Sequence, residues 1–314
     1  MERVEDPVIR PDMTVRELID AYSKIYGFNA GHLYRAIELL RKGLSRSRLR
    51  ILTFTANLVS TGLRGIIADL IGKGLFNVVI TTCGALDHDI ARAVGGEYLK
   101  GFFEADDVEL YEKGYHRLGN IYIPVESYGP KVESFVRKLV DKMESDGRDK
   151  WGTYEIARLA GSIIEDKRSI LRAASSSGAY VFVPGWPDGA FGTSLFMEAQ
   201  RREYKFTVDY FIDMKMLSDI FFSWKGEAAA LIVGGGISKH HAIWWSQFRN
   251  GLDYAVYVTT AVEYDGSLSG AHPREAVTWG KIKPEGGRVV VYGDATIIFP
   301  IIAAGILDVR PATK

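Results

Sequence analysis

One cysteine, Cys83, stands in 314 residues. A single thiol excludes an internal disulfide and a thiolate metal cage, and it fits a reducing compartment. Side-chain amides are scarce as well, seven in all (Asn29, Asn57, Asn77, Asn120, Asn250, Gln200 and Gln247), a scarcity that points to a hot-growing source. Surplus charge of either sign is missing, because 39 basic residues balance 39 acidic ones. Without excess Lys and Arg the chain lacks the usual means of non-specific nucleic-acid binding. Long apolar runs are missing too. Ile297 to Leu307, interrupted by Pro300, falls short of the ~20 residues of a membrane helix. Met1 to Met13 alternates charges with prolines and has no apolar signal-peptide core. The expectation is a cytoplasmic protein with no nucleic-acid partner, no membrane partner and no metal.

What is present is an ordinary globular composition, 47% hydrophobic. Apolar positions at helical spacing from Thr14 to Leu40, broken at Gly27-Phe28-Asn29, predict two helices. A basic run from Arg41 to Arg50 follows, read either as a solvated connector or as an anion site. From residue 51 the pattern changes. Short apolar runs at Ile51 to Thr55, Asn77 to Thr82, Ile121 to Pro124, Ala179 to Val183, Ala228 to Val233, Tyr254 to Val258 and Val289 to Tyr292 alternate with helical segments at Leu63 to Ile71, Asp87 to Ala93 and Tyr128 to Met143, the last followed by a charged turn, Glu144 to Lys150. Repeated β-α-β units with continuous apolar strands predict an α/β fold: a parallel sheet in three layers with helices on both faces. The expected division is an N-terminal helical extension, 1–50, and a main domain, 51–314.

Ligands of such sheets bind at the carboxyl ends of the strands, and the unusual residues gather there. Gly234-Gly235-Gly236 followed by Ser238-Lys239-His240-His241 suits either backbone approach to a phosphate or a tight strand-to-helix turn. Adjacent histidines on a helix point about 100° apart, which disfavours a shared metal and leaves an acid or base role beside a capping role. Cys83 is a nucleophile or a small buried apolar group. Asp188, Asp265 and Asp294 flank glycines in strand-end loops, as turn residues or as ribose or cation binders. Lys281, in Trp279-Gly280-Lys281, is an amine desolvated by aromatic surface, as a Schiff-base nucleophile requires, or a snorkelling surface lysine.

Taken together the segments resemble the deoxyhypusine synthase family over nearly the whole chain. The resemblance is carried by residues 55–62, Thr81-Thr82-Cys83-Gly84, Arg117-Leu118-Gly119-Asn120, 234–241, 249–257, 265–271 and 275–282. It implies a Rossmann-like NAD-binding core and a homotetramer with active sites between paired subunits. It also implies transfer of the 4-aminobutyl group of spermidine, through an imine on an active-site lysine, to one lysine of the hypusine-bearing translation factor. Lys281 matches the imine-forming lysine and His240 the catalytic histidine. Asn57, Ser60, Thr82, Gly84, Asp188, Gly234, Gly235, Gly236, Thr260, Asp265, Asp294 and Ala295 match NAD contacts, and Glu275 and Trp279 match polyamine contacts.

The departures lie in the polyamine pocket. Thr193 and Leu268 stand where the family has aspartates, Trp244 where it has asparagine, and His88 where it has an acid. Two lost carboxylate anchors would cost about 3–6 kcal/mol. Cation–π contacts with Trp186, Trp244 and Trp245 would offset part of this, at about 0.5–2 kcal/mol each. Two alternatives therefore stand beside the main reading: homospermidine synthase-like transfer with a different amine donor or acceptor, and a non-catalytic NAD-binding paralogue subunit.

Overall fold

The computed structural model describes residues 3–312; Met1, Glu2, Thr313 and Lys314, at the ends of the two expected domains, lie outside the described residues. Contacts divide the chain into two compact units: Met1–Phe54, Lys73–Ile80 and Met216–Lys314 form the first, and Thr55–Gly72 and Thr81–Lys215 the second. This division runs across the 1–50 and 51–314 boundary. The physical reason is packing: the helix Asn29–Arg46 lies on the strands Leu252–Thr259 and Ile282–Tyr292, so the N-terminal helices are part of the first unit's core.

In the first unit, five strands pair in parallel in the order Ile282–Tyr292, Leu252–Thr259, Ala228–Val233, Leu49–Thr53, Val78–Ile80. The Leu49–Thr53 and Ala228–Val233 strands are buried along their whole length, as expected of a sheet with both faces covered. The helix Gly236–Ser246 packs on Leu49–Thr53 and Val78–Ile80. Parallel pairing sets every carboxyl end on one edge, so the turns after Val233, Thr259 and Tyr292 are neighbours. At the N-terminus, Thr14 and Glu17 exchange hydrogen bonds in a capping box that starts the helix Val15–Ile25.

The basic run is not one feature: Lys42, Arg46 and Arg48 are exposed, as in a solvated segment, whereas Arg41 and Arg50 make structural contacts. Helix Asn29–Arg46 continues through most of it, Arg41 binds the Gly305 carbonyl and Asp308, both at 2.6 Å, and Arg50 is buried in the first strand. The Arg50 guanidinium donates to the carbonyls of Ser47, Leu75 and Ala312. It ties the sheet's first strand to the C-terminal segment.

The second unit is mainly helical, with Leu63–Gly72, Cys83–Ala93, Gly129–Asp146, Thr153–Ile163, Ile170–Ser177 and Ala190–Arg201 beside the strand Tyr180–Phe182. It also holds an element the sequence did not announce as a sheet: the antiparallel strands Leu99–Lys100, Ile121–Pro124 and Tyr115–Leu118, with Gly119-Asn120 turning the hairpin. The Arg117-to-Asn120 motif is thus a hairpin end, its arginine bonded to Asp107 at 2.6 Å.

Two aspartates organise the helices of this unit. The Asp87 carboxylate accepts from the amides of Ala190 and Phe191, both at 2.8 Å, and from the Tyr128 hydroxyl at 2.9 Å. Asp89, two residues on, accepts from Ile170 N at 3.0 Å, Leu171 N at 2.9 Å and the Ser169 hydroxyl at 2.8 Å. Each therefore satisfies the unpaired first amides of a helix far away in sequence.

Candidate active site

A cavity of about 270 Å³ in the first unit collects the residues matched to the chemistry: His240, Glu275, Trp279 and Lys281 all line it, together with Lys239, Trp244 and Leu268. Local structure places each of them. The short helix Glu275–Thr278 ends at Trp279, and Gly280 takes φ +65, the left-handed turn that glycine allows without a Cβ penalty. The amide of Lys281 then bonds back to the Ala276 carbonyl at 2.9 Å, and its carbonyl accepts from Leu252 at 3.1 Å. Trp-Gly-Lys is thus a helix stop that sets a lysine at the mouth of the strand Ile282–Tyr292.

Lys281 is only 8% exposed, which removes the reading as a snorkelling surface lysine. Its Nζ lies 5.2 Å from the Trp279 ring centroid and 6.0 Å from that of Trp244. His240 stacks on Trp244, one helical turn further on, with centroids 5.8 Å apart and planes at 27°. Burial, reinforced by the Lys281 charge, holds the His240 imidazole below its ordinary pKa. It is therefore a neutral proton acceptor at pH 7. His241 faces elsewhere, against Trp245, and burial pushes its pKa down to about 4.

The second lysine of the cavity, Lys239, is buried and donates to the carbonyls of Ala271 at 2.9 Å and Ser269 at 3.4 Å, with the Tyr257 ring 4.4 Å away. Burial pushes its pKa down to about 8. The loop it grips also rests on the glycine turn: the Ser269 hydroxyl accepts from Gly236 N at 3.2 Å, and a Cβ at Gly235 would collide with Ser269. The missing Cβ at Gly235 therefore makes room for this loop. Gly236, by contrast, opens on free space at the start of the Gly236–Ser246 helix.

The other matched residues lie in loops and at helix starts of the two units. In the first, Gly234, Thr260, Asp265, Asp294 and Ala295 follow three adjacent strands. Asp294 caps the helix Ala295–Ile306 through Thr296 N at 2.8 Å, and Asp265 closes a turn onto Ser267 N at 2.6 Å. In the second, Ser60 donates to the Asn57 carbonyl at 2.7 Å, and Thr82 precedes the helix Cys83–Ala93, where Gly84 packs on Ala56. Asp188 sits in the turn before the helix Ala190–Arg201.

Several alternatives end here. Cys83 is buried, and burial together with the Asp87 carboxylate pushes its thiol far above the ordinary range, so it is not a nucleophile. Trp186 and Trp245 are buried against Phe191 and Phe221, and of the three tryptophans named for cation–π contact only Trp244 lines the cavity. The cause is helical rotation, which turns neighbours 244 and 245 to different faces. Thr193 belongs to the second unit, where it lines a cavity with Glu133, Arg137, Glu198 and Arg201.

His88 is buried in the second unit and bonded through Nδ1 to the Tyr98 hydroxyl at 2.7 Å. Burial, then the charge of Arg92, pushes its pKa down to about 4. The unfolded chain binds that proton near 6.5 and the folded one only near 4, so His88 destabilises the fold progressively as pH falls through this window, by about 3 kcal/mol in full. Buried Asp87 and Asp213, whose pKa values are raised, act in the opposite sense. The expected result is that His88→Gln flattens the acid limb of stability between pH 6.5 and 4 by about one proton, measured by urea unfolding at several pH values. An unchanged slope would refute it.

The sequence matches the deoxyhypusine synthase family over residues 17–306. A relative from Aeropyrum pernix named probable deoxyhypusine synthase is 68% identical over 304 residues, covering 96% of this chain and 97% of its own. One of the same name from Ignicoccus hospitalis is 54% identical, over 98% of this chain and 96% of its own. Among solved structures, one bearing the deoxyhypusine synthase name from Entamoeba histolytica superposes with a TM-score of 0.64 at 19% identity, over 96% of both chains, a likeness of fold. The architecture, an α/β fold with a mostly parallel sheet and helices on both sides, agrees with the fold expected from the sequence, and the chain belongs to the deoxyhypusine synthase family.

Proposed function

We propose that this protein transfers the 4-aminobutyl group of spermidine to a lysine of the hypusine-bearing translation factor through an imine on Lys281. The observation that carries the reading is the buried Lys281 amine, set between two indole rings with neutral His240 and the Glu275 carboxylate on the same cavity.

Those residues suit the chemistry in turn. Glu275 attracts the donor's ammonium, and Trp279 covers it with an aromatic face. His240 takes the proton that an ammonium must lose before its nitrogen can act as nucleophile. The Lys281 amine then adds to the imine carbon of the oxidised donor, the proton passes to the departing nitrogen, and 1,3-diaminopropane leaves. The acceptor lysine repeats the addition at the Lys281 imine and frees the amine.

NAD, when bound, supplies the hydride acceptor for donor oxidation and the donor for the closing reduction. The chain's own residues fit it. In the first unit, open Gly236 at a helix start and the exposed loop residues Thr260 and Asp265 stand at adjacent strand ends. In the second, the Thr82 hydroxyl is buried and makes no hydrogen bond among the described residues. Gly234, Gly235, Asp294 and Ala295 belong to the proposed contacts of the first unit, and Asn57, Ser60, Gly84 and Asp188 to those of the second. A homotetramer and a cytoplasmic location complete the proposal; no helix among the described residues is long and apolar enough to cross a membrane.

Purified protein incubated with NAD, spermidine and the translation factor is expected to place a 4-aminobutyl adduct on one lysine of the factor, read by mass spectrometry, with release of 1,3-diaminopropane. Release without an adduct would instead support homospermidine synthase-like transfer. NAD binding with no turnover until a sister subunit is added would support the non-catalytic paralogue.

A further inference from the structure

The cavity around Lys281 is short of negative charge. Lys239, Lys281, His240 and His272 line it against one carboxylate, Glu275. This inference rests on the function proposed above, in which the substrate is a polyamine, and a polyamine needs some other partner here. Aromatic faces are what the cavity offers. The Lys281 ammonium already lies 6.0 Å from the Trp244 centroid and 5.2 Å from the Trp279 centroid, the range in which a cation is drawn to an indole face. The two indoles thus present aromatic faces beside Lys281.

Trp244 is held ready for that role. His240, one turn before it, stacks on its ring, and Phe248, one turn after it, meets it edge-on with centroids 6.1 Å apart and planes at 87°. Trp245 next to it is buried against Phe221 and fixes the helix's rotation. Trp244 itself remains 43% exposed. A ring locked by neighbours and open to the cavity loses little side-chain entropy when a cation binds.

We propose that Trp244 is a specificity-determining residue of this site, supplying the aromatic face that holds an ammonium of the amine donor beside Lys281. A π face attracts charge without demanding N–H donors, so the site accepts alkylated ammonium groups as readily as primary ones. A carboxylate site behaves differently, because methylation removes the donors of its hydrogen bonds.

The test measures KM and kcat for spermidine with the full chain, NAD and the translation factor. Trp244→Asn is expected to raise KM about 5- to 30-fold with a smaller change in kcat, and Trp244→Phe to recover most of the loss. In the wild-type protein, (3-aminopropyl)trimethylammonium is expected to compete about as well as 1,3-diaminopropane. An unchanged or lowered KM in a folded, NAD-binding Trp244→Asn variant overturns the proposal. So does a trimethylammonium competitor more than about tenfold weaker than the primary amine, a comparison that needs no variant to fold. Should the wild type fail to turn over spermidine, it is the function proposed above that fails. Quenching of tryptophan fluorescence by the trimethylammonium probe then decides the role of Trp244: quenching lost in Trp244→Phe supports it, and quenching unchanged overturns it.

Discussion

Replacing Lys281 with alanine is expected to lower aminobutyl transfer by roughly a thousandfold or more, the usual scale for removing a covalent nucleophile. The cavity holds no substitute. Lys239, its other lysine, has its amine bonded to the Ser269 and Ala271 carbonyls and placed over the Tyr257 ring. Lys281→Arg separates charge from chemistry, because a guanidinium keeps the cation between the two indoles and forms no imine. It should lose activity as fully as the alanine variant. The variant proteins are to be mixed with NAD, spermidine and the translation factor, and the adduct counted by mass spectrometry. An arginine variant with a tenth or more of wild-type activity would sink the covalent role and leave Lys281 as a charge.

The second large effect concerns stability. Asp89 is fully buried and accepts from Arg64 Nε at 2.6 Å, from the Ser169 hydroxyl and from two amides at the start of the helix Ile170–Ser177. Arg64 is itself buried, with Asp166 as a second partner at 2.7 Å. Asp89→Ala leaves a buried guanidinium half-paired and three donors without an acceptor. The expected cost is about 3–5 kcal/mol, the range for breaking a buried ion pair from one side. Asp89→Asn keeps the volume and one acceptor oxygen and should cost less. Urea unfolding at pH 7 measures both, and a loss below about 1 kcal/mol for the alanine variant would show that Asp166 alone satisfies Arg64.

Much of this protein is legible before any coordinates. The fully apolar run Ala228–Val233 reads as a candidate strand buried on both faces, and it is the middle strand of the first unit's five. The helix break at Gly27 falls between Val15–Ile25 and Asn29–Arg46, where Tyr26 and Phe28 adopt positive φ. Trp279-Gly280-Lys281 leaves a desolvated amine and a surface lysine both open in the sequence, and Lys281 is buried beside tryptophan. Helix Gly129–Asp146 runs three residues beyond the expected Met143, because Gly147 supplies the left-handed cap inside a stretch that composition alone marks as a charged turn.

What stayed hidden has a common cause. Asp87 and Asp89 lie two apart around His88 in a helical segment, yet their partners Phe191 and Ser169 are 104 and 80 residues away in sequence. No local period encodes a helix cap delivered from another helix. The run Gly234-Gly235-Gly236 suits both a phosphate approach and a tight turn, and nothing local in it announces that Gly235 packs against Ser269. The burial of Arg50 was masked by its membership of a basic run.

By itself, then, the sequence determined the class of fold and the family and drew attention to Lys281, because strand burial, glycine turns and short motifs are local properties of the chain. Tertiary structure alone decided which neighbours those residues meet. It turned Trp244 toward Lys281 and Trp245 into the core, buried His88 against Tyr98, and made Asp87 and Asp89 the caps of distant helices. Contacts between residues far apart in sequence depend on how whole elements pack, and packing is set by the sum of many burial and hydrogen-bond terms that no single segment carries.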